Sequence, residues 1–135
     1  MKRPSQGAPQ PLTLRRPPPR PVILCIEDNP DYLRLRKAVL ERGGYSVICA
    51  AEPSDALQAL REAPVCLVLS DHMLRGSTGA DLARQMKALK PDVPVVIYSG
   101  NPPEAMRGVD VFINKNEPIS EFFSIISDLI QRYCE

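Results

Sequence analysis

The tightest constraint on this 135-residue chain is a rhythm: short, almost continuous apolar runs alternate with segments whose apolar residues recur at helical spacing. The runs are Val22 to Ile26, Tyr45 to Ala50, Val65 to Leu69, Val95 to Tyr98 and Val111 to Ile113. Between them come a segment with Tyr32, Leu35, Val39 and Leu40, one with Ala56, Leu57 and Leu60, and one with Leu82, Met86 and Leu89. Ile119 to Tyr133 closes the series with Phe122, Phe123, Ile126, Leu129 and Ile130. Strands covered on both faces show no polar alternation, so the pattern predicts an α/β fold: a five-stranded, doubly wound parallel sheet between two helical layers.

Punctuation agrees with that reading. Asn29-Pro30-Asp31 and Glu52-Pro53-Ser54 supply helix-start chemistry, Gly43-Gly44 and Pro64 end helices, and Gly76 and Gly79 flank a loop after the third strand. One connection is short: only residues 100–110 join the last two strands, and they include Pro102-Pro103 and Gly108. A parallel crossover with its helix needs about 10–12 residues, so the fourth helix is expected to be a stub or missing.

The chain divides into a tail and one domain. Residues 1–20 hold six prolines and five basic residues with no acid, too little apolar surface to offset ordering entropy, and are expected to form a disordered, Pro-rich basic tail. Residues 21–135 form the domain and carry 12 basic against 16 acidic residues, which argues against nucleic acid as its main partner. Cys25, Cys49, Cys66 and Cys134 lack zinc-ligand spacing and read as small core residues in a reducing compartment. No apolar run reaches the roughly 18 residues of a membrane span and no hydrophobic signal core opens the chain, so a cytoplasmic location with no membrane partner is expected.

The chemistry gathers where the apolar runs stop. Glu27-Asp28 follow the first run, Asp71 the third, Ser99 the fourth and Lys115 the fifth. The carboxyl ends of parallel strands share one edge, which is where such sheets bind ligands. Adjacent acids at the mouth of a buried strand repel each other and imply a cation. Three hard carboxylates, Glu27, Asp28 and Asp71, suit Mg2+, with the backbone carbonyl of Met73 as a further donor. Asp71 is the candidate nucleophile for phosphorus, and Ser99 and Lys115 would stabilise charge on phosphoryl oxygens in flight. His72 is expected to be a non-catalytic loop residue, because neighbours on extended backbone point to opposite faces.

These residues, in this order, closely resemble the receiver domain of bacterial two-component response regulators over about residues 21–133. The matching positions are the acidic pair Glu27-Asp28, Asp71 in LVLSDHMLRGSTG, Gly79, Ser99 in VVIYSG and Lys115 in VFINK, with Phe112 at the family's aromatic switch position. The resemblance implies a CheY-like sheet of order 2-1-3-4-5 and Mg2+ dependence. It also implies phosphorylation of Asp71 by a sensor histidine kinase or a histidine phosphotransfer protein, and a coupled movement of Ser99 and Phe112. No enzymatic turnover beyond self-phosphorylation and self-dephosphorylation is implied. With the chain ending at Glu135, a stand-alone receiver that signals by protein contact is expected; the alternative is a non-switching, receiver-like interaction module.

Three positions depart from the family pattern. Asn116 follows Lys115 where proline with a cis peptide is usual, and a trans bond is expected there because cis costs a non-proline residue roughly 3 kcal/mol. Arg75 replaces the usual proline after Asp71, and either loosens that loop or brings a guanidinium near the phosphoryl group. The short fourth helix removes much of the surface by which many family members dimerise.

Overall fold

The computed structural model describes residues 20–134. The tail, expected at residues 1–20, lies outside that range except for Arg20. In chain order the elements are β1 (Val22–Ile26), α1 (Pro30–Arg42), β2 (Ser46–Ala50), α2 (Pro53–Glu62), β3 (Leu67–Ser70), β4 (Met73–Leu74), β5 (Ser77–Thr78), α3 (Gly79–Leu89), β6 (Val95–Ser99), β7 (Val111–Asn114) and α4 (Ile119–Tyr133). Five of the strands form a parallel sheet in the order β2-β1-β3-β6-β7. Counting those five strands alone, this is the expected 2-1-3-4-5 order.

The pleat of β1 shows why the fold is three-layered. Ile23 and Cys25 point to one face, where Leu40 of α1 and Phe122 and Ile126 of α4 close over them. Leu24 and Ile26 point to the other, against Ala56 and Leu60 of α2 and Leu82 and Met86 of α3. All four β1 side chains are fully buried, and each large one contributes roughly 1.5–3 kcal/mol of transfer free energy. Helix starts follow local chemistry: the Asn29 side chain accepts hydrogen bonds from the backbone N–H groups of Asp31 (2.9 Å) and Tyr32 (3.1 Å), and Thr78 accepts from Asp81 (3.1 Å).

No helix lies between β6 and β7 among the described residues; residues 100–110 run as turns and bends. A polar clasp holds the end of this connection. Asp110 Oδ2 accepts hydrogen bonds from the Val95 N–H at 2.7 Å and the Lys87 ammonium at 2.6 Å, tying the loop to both β6 and α3.

The structure corrects three expectations. Gly76 sits at φ 78° in a two-residue turn of a small hairpin, β4 paired with β5, where a plain loop was expected. Tyr32 and Leu35 are 54% and 62% exposed, because α1 turns Leu33, Arg36 and Leu40 toward the sheet instead. Cys49 lies exposed on edge strand β2; only Cys25 is fully buried, and Cys66 and Cys134 are half-buried. The peptide bonds of the described residues, that between Lys115 and Asn116 included, are all trans.

Candidate functional site

The carboxyl edge of the sheet gathers the sequence-predicted residues. Asp71 follows β3 directly, and its backbone N–H donates to the Ile26 carbonyl at 3.0 Å, which locks it beside the end of β1. Its carboxylate oxygen Oδ1 accepts a hydrogen bond from the His72 N–H at 2.8 Å and faces the Lys115 ammonium at 3.5 Å. Lys115 is placed by register: β7 pairs Asn114 with Ser99, and the Lys115 N–H donates to the Ser99 carbonyl at 2.9 Å. Ser99 itself is 6% exposed, and its Oγ accepts a hydrogen bond from the Asn101 N–H at 3.4 Å. Phe112, half-buried on β7, pairs in register with Ile97 of β6.

Glu27 is buried at the end of β1. One of its oxygens accepts from the Arg36 guanidinium at 2.6 Å and the other from the Asn29 N–H at 3.0 Å. The Asp71 carboxyl lies close enough for its charge to act on Glu27. Burial raises the pKa of Glu27; the Asn29 N–H and Arg36 oppose that rise, and the Asp71 charge adds to it. Asp28 is half-buried next to it. Met73 opens β4 with its side chain exposed, and Arg75 is exposed at the hairpin turn.

Arg36 was not among the sequence-predicted site residues. It lies on the sheet-facing side of α1, three residues after Leu33 and four before Leu40. A charge at that spacing inside an apolar stripe was its only signal. Its guanidinium carbon stands 5.0 Å from the centroid of the Tyr98 ring, and the Lys115 ammonium stands 5.9 Å from the same ring. Tyr98 thus links the cation on Glu27 to the cation on Asp71.

The donor set suits a hard divalent cation: carboxyls gathered at the ends of two neighbouring strands repel each other, and oxygen is the preferred ligand of Mg2+. Among the described residues, however, no three His, Cys, Asp or Glu side chains are gathered closely enough to hold a metal ion together. Glu27 is engaged by Arg36, whereas Asp28 is half-buried beside it and Asp71 faces Lys115.

Two grooves flank the edge. One, of about 380 Å³, runs between α1 and α4 and is lined by Tyr32, Leu35, Arg36, Tyr98, Lys115 and Ile119. The other, of about 470 Å³, lies between α3 and the helix-free connection, lined in part by His72, Met73, Arg84 and Glu104. The Nδ1 atom of His72 is buried without a hydrogen-bond partner. No helix of the described residues is long and apolar enough to cross a membrane.

Comparison with known proteins agrees with this fold. The Transcriptional regulatory protein AruR of Pseudomonas aeruginosa is 31% identical over 123 residues, covering 83% of this chain and 50% of AruR. The Transcriptional regulatory protein GlrR of Escherichia coli K12 is 28% identical over 116 residues, covering 82% of this chain and 26% of GlrR. The chain therefore spans about a quarter to a half of the length of these relatives. Among solved structures, the signal receiver domain of an HD domain-containing protein from Pseudomonas fluorescens Pf-5 superposes with a TM-score of 0.78 at 20% identity, covering 89% of this chain and 93% of that one. The response regulator TrrA from Thermotoga maritima, solved in complex with Mg(2+)-BeF, superposes with a TM-score of 0.75 at 21% identity, covering 81% and 98%. The sequence pattern of the response regulator receiver domain matches residues 23–126, and the chain belongs to that family of two-component signalling domains.

Proposed function

We propose that residues 21–135 form a phosphorylation switch in a two-component phosphorelay, with the Pro-rich basic segment as an appendage. A carboxylate oxygen of Asp71 attacks the phosphorus of a phosphohistidine on a sensor histidine kinase or histidine phosphotransfer protein. The new O–P bond makes an acyl phosphate, and the N–P bond breaks to release the donor imidazole. The observation that carries the reading is the Lys115 ammonium 3.5 Å from Asp71 Oδ1, held there through the β6–β7 register that also brings in Ser99.

Each residue has a physical task. Lys115 neutralises charge on the phosphoryl oxygens, and the Ser99 hydroxyl donates to one of them. Asp28 and Asp71, with the Met73 carbonyl, would hold Mg2+, which when bound screens the negative charge of the incoming group. Modification adds about 1.5–2 negative charges. Ser99 and Phe112 then carry that change along β6 and β7 to a protein-binding surface, in a cytoplasmic setting.

The test is incorporation of phosphate from a small acyl phosphate such as acetyl phosphate. The expected product forms only with Mg2+, is cleaved by hydroxylamine, and is absent in Asp71→Asn. Failure of the native chain to take up phosphate under these conditions would overturn the proposal. A second reading, a non-switching interaction module, is favoured by the helix-free connection between β6 and β7. Partner affinity that does not change on adding beryllofluoride would select it.

A further inference from the structure

Arg36 is a charged residue in a position that a helix normally gives to an aliphatic one. Its side chain is only 13% exposed; its guanidinium donates to Glu27 Oε1 at 2.6 Å and lies over the Tyr98 ring at 5.0 Å. Glu27 is buried, and its second oxygen takes the Asn29 N–H at 3.0 Å. Both oxygens of this acid are thus engaged before any ligand arrives. A planar guanidinium can grip a carboxylate along its edge while stacking by its face, which an ammonium cannot do. The same ring is approached by Lys115, which pairs with Asp71. Two cations and two acids are therefore linked through the Tyr98 ring across the pocket.

We infer that Arg36 is a positioning residue for the cation site: it holds Glu27 in an internal ion pair on the Tyr98 ring, so that Mg2+ is met by Asp28 and Asp71 and competes with a guanidinium for the third carboxylate. The inference rests on the proposed cation site at Asp28 and Asp71. Its consequence is a lowered affinity. The three acids would bind a divalent cation more tightly without Arg36, because its removal both frees a hard ligand and takes away a like charge.

The experiment is calorimetric titration of the full chain with Mg2+, at constant pH and ionic strength, for the native protein, Arg36→Met, the double variant Arg36→Met/Glu27→Gln, and Asp28→Asn. Circular dichroism checks that each is folded. Arg36→Met keeps an aliphatic stem over Tyr98 and is expected to bind Mg2+ about tenfold more tightly. The double variant replaces the buried ion pair with neutral groups, a change proteins commonly tolerate, and is expected to bind within about threefold of the native chain.

Folded Arg36→Met that binds no more tightly than the native protein would overturn the inference. So would a double variant weakened by about tenfold or more, since Glu27 would then already be a ligand in the native chain. If Arg36→Met does not fold, the double variant decides. Asp28→Asn separates the two levels. Binding unaffected by Asp28→Asn removes the cation site and the inference with it, whereas binding lost in Asp28→Asn but indifferent to Arg36 removes the inference alone.

Discussion

Gly79, the first residue of α3, should be irreplaceable for a reason that reaches Asp71. A Cβ built there would meet the Asp71 carbonyl oxygen at 2.4 Å, Ile97 Cδ1 at 2.7 Å and His72 Cα at 3.1 Å. The Ile97 methyl can rotate away. The Asp71 carbonyl cannot, because the Asp71 N–H is bonded to Ile26 at 3.0 Å and the carbonyl itself accepts the Ser70 hydroxyl at 2.7 Å. Gly79→Ala must therefore open the backbone by about 1 Å, an overpacking cost of about 3 kcal/mol that the better helix propensity of alanine offsets by at most about 1 kcal/mol. With a urea m-value of roughly 1–3 kcal/mol/M, the unfolding midpoint should fall by about 1–2 M. Because a displacement of about 1 Å at a reacting group can cost about 100-fold in rate, phosphate incorporation from acetyl phosphate should slow by a similar factor. Two other glycines calibrate the result. Gly76→Ala meets nothing within 4 Å but sits at φ 78°, so it should cost about 1–2 kcal/mol with Asp71 undisturbed. Gly100→Ala has open space and ordinary backbone, and should stay within about 0.5 kcal/mol of the native protein. A Gly79→Ala protein as stable and as readily phosphorylated as Gly100→Ala would refute the reasoning.

Two further predictions concern stability. Asn29→Ala removes the acceptor for the Asp31 and Tyr32 N–H groups and should cost about 1 kcal/mol, lowering the melting temperature by about 4–8 °C; an unchanged melt would show that the cap is dispensable. Burial pushes the Cys25 thiol up to about 12 from an ordinary 9.0, so the folded state binds this proton more tightly than the unfolded chain. The stability it contributes is intact below the unfolded value and is lost as pH rises toward the folded one, at about 1.4 kcal/mol per pH unit. Urea midpoints measured from neutral into alkaline solution should fall more steeply for the native protein than for Cys25→Ala, and parallel curves would contradict this.

Much of the architecture was legible because parallel strands covered on both faces leave long apolar runs in the chain. The last helix, Ile119–Tyr133, emerged at its expected bounds, since five apolar residues mark one face without interruption. The hairpin of β4 and β5 did not, because two-residue strands are too short for any period to register. In α1 the apolar residues read from the sequence included the exposed Tyr32 and Leu35, while the face turned to the sheet carries Leu33, Arg36 and Leu40. A buried charge hides the true core face in this way. The site was readable at the level of strand ends, as topology alone carries Asp71, Ser99 and Lys115 to one edge. Which partner each acid takes was not readable: Glu27 and Arg36 are nine residues apart across a loop and two helical turns, and no local spacing announces their contact.

The helix-free connection between β6 and β7 has a practical corollary for engineering. Glu104, Ala105, Met106 and Arg107 are solvent-facing, while Pro103 on one side and the Asp110 clasp on the other are anchored. Exposed tips of this kind accept inserted sequence with little thermodynamic loss. A circularly permuted fluorescent protein grafted between Ala105 and Met106 would hang directly from the two strands bearing Ser99 and Phe112. Its brightness would then report the proposed movement of Ser99 and Phe112 without a helix in between.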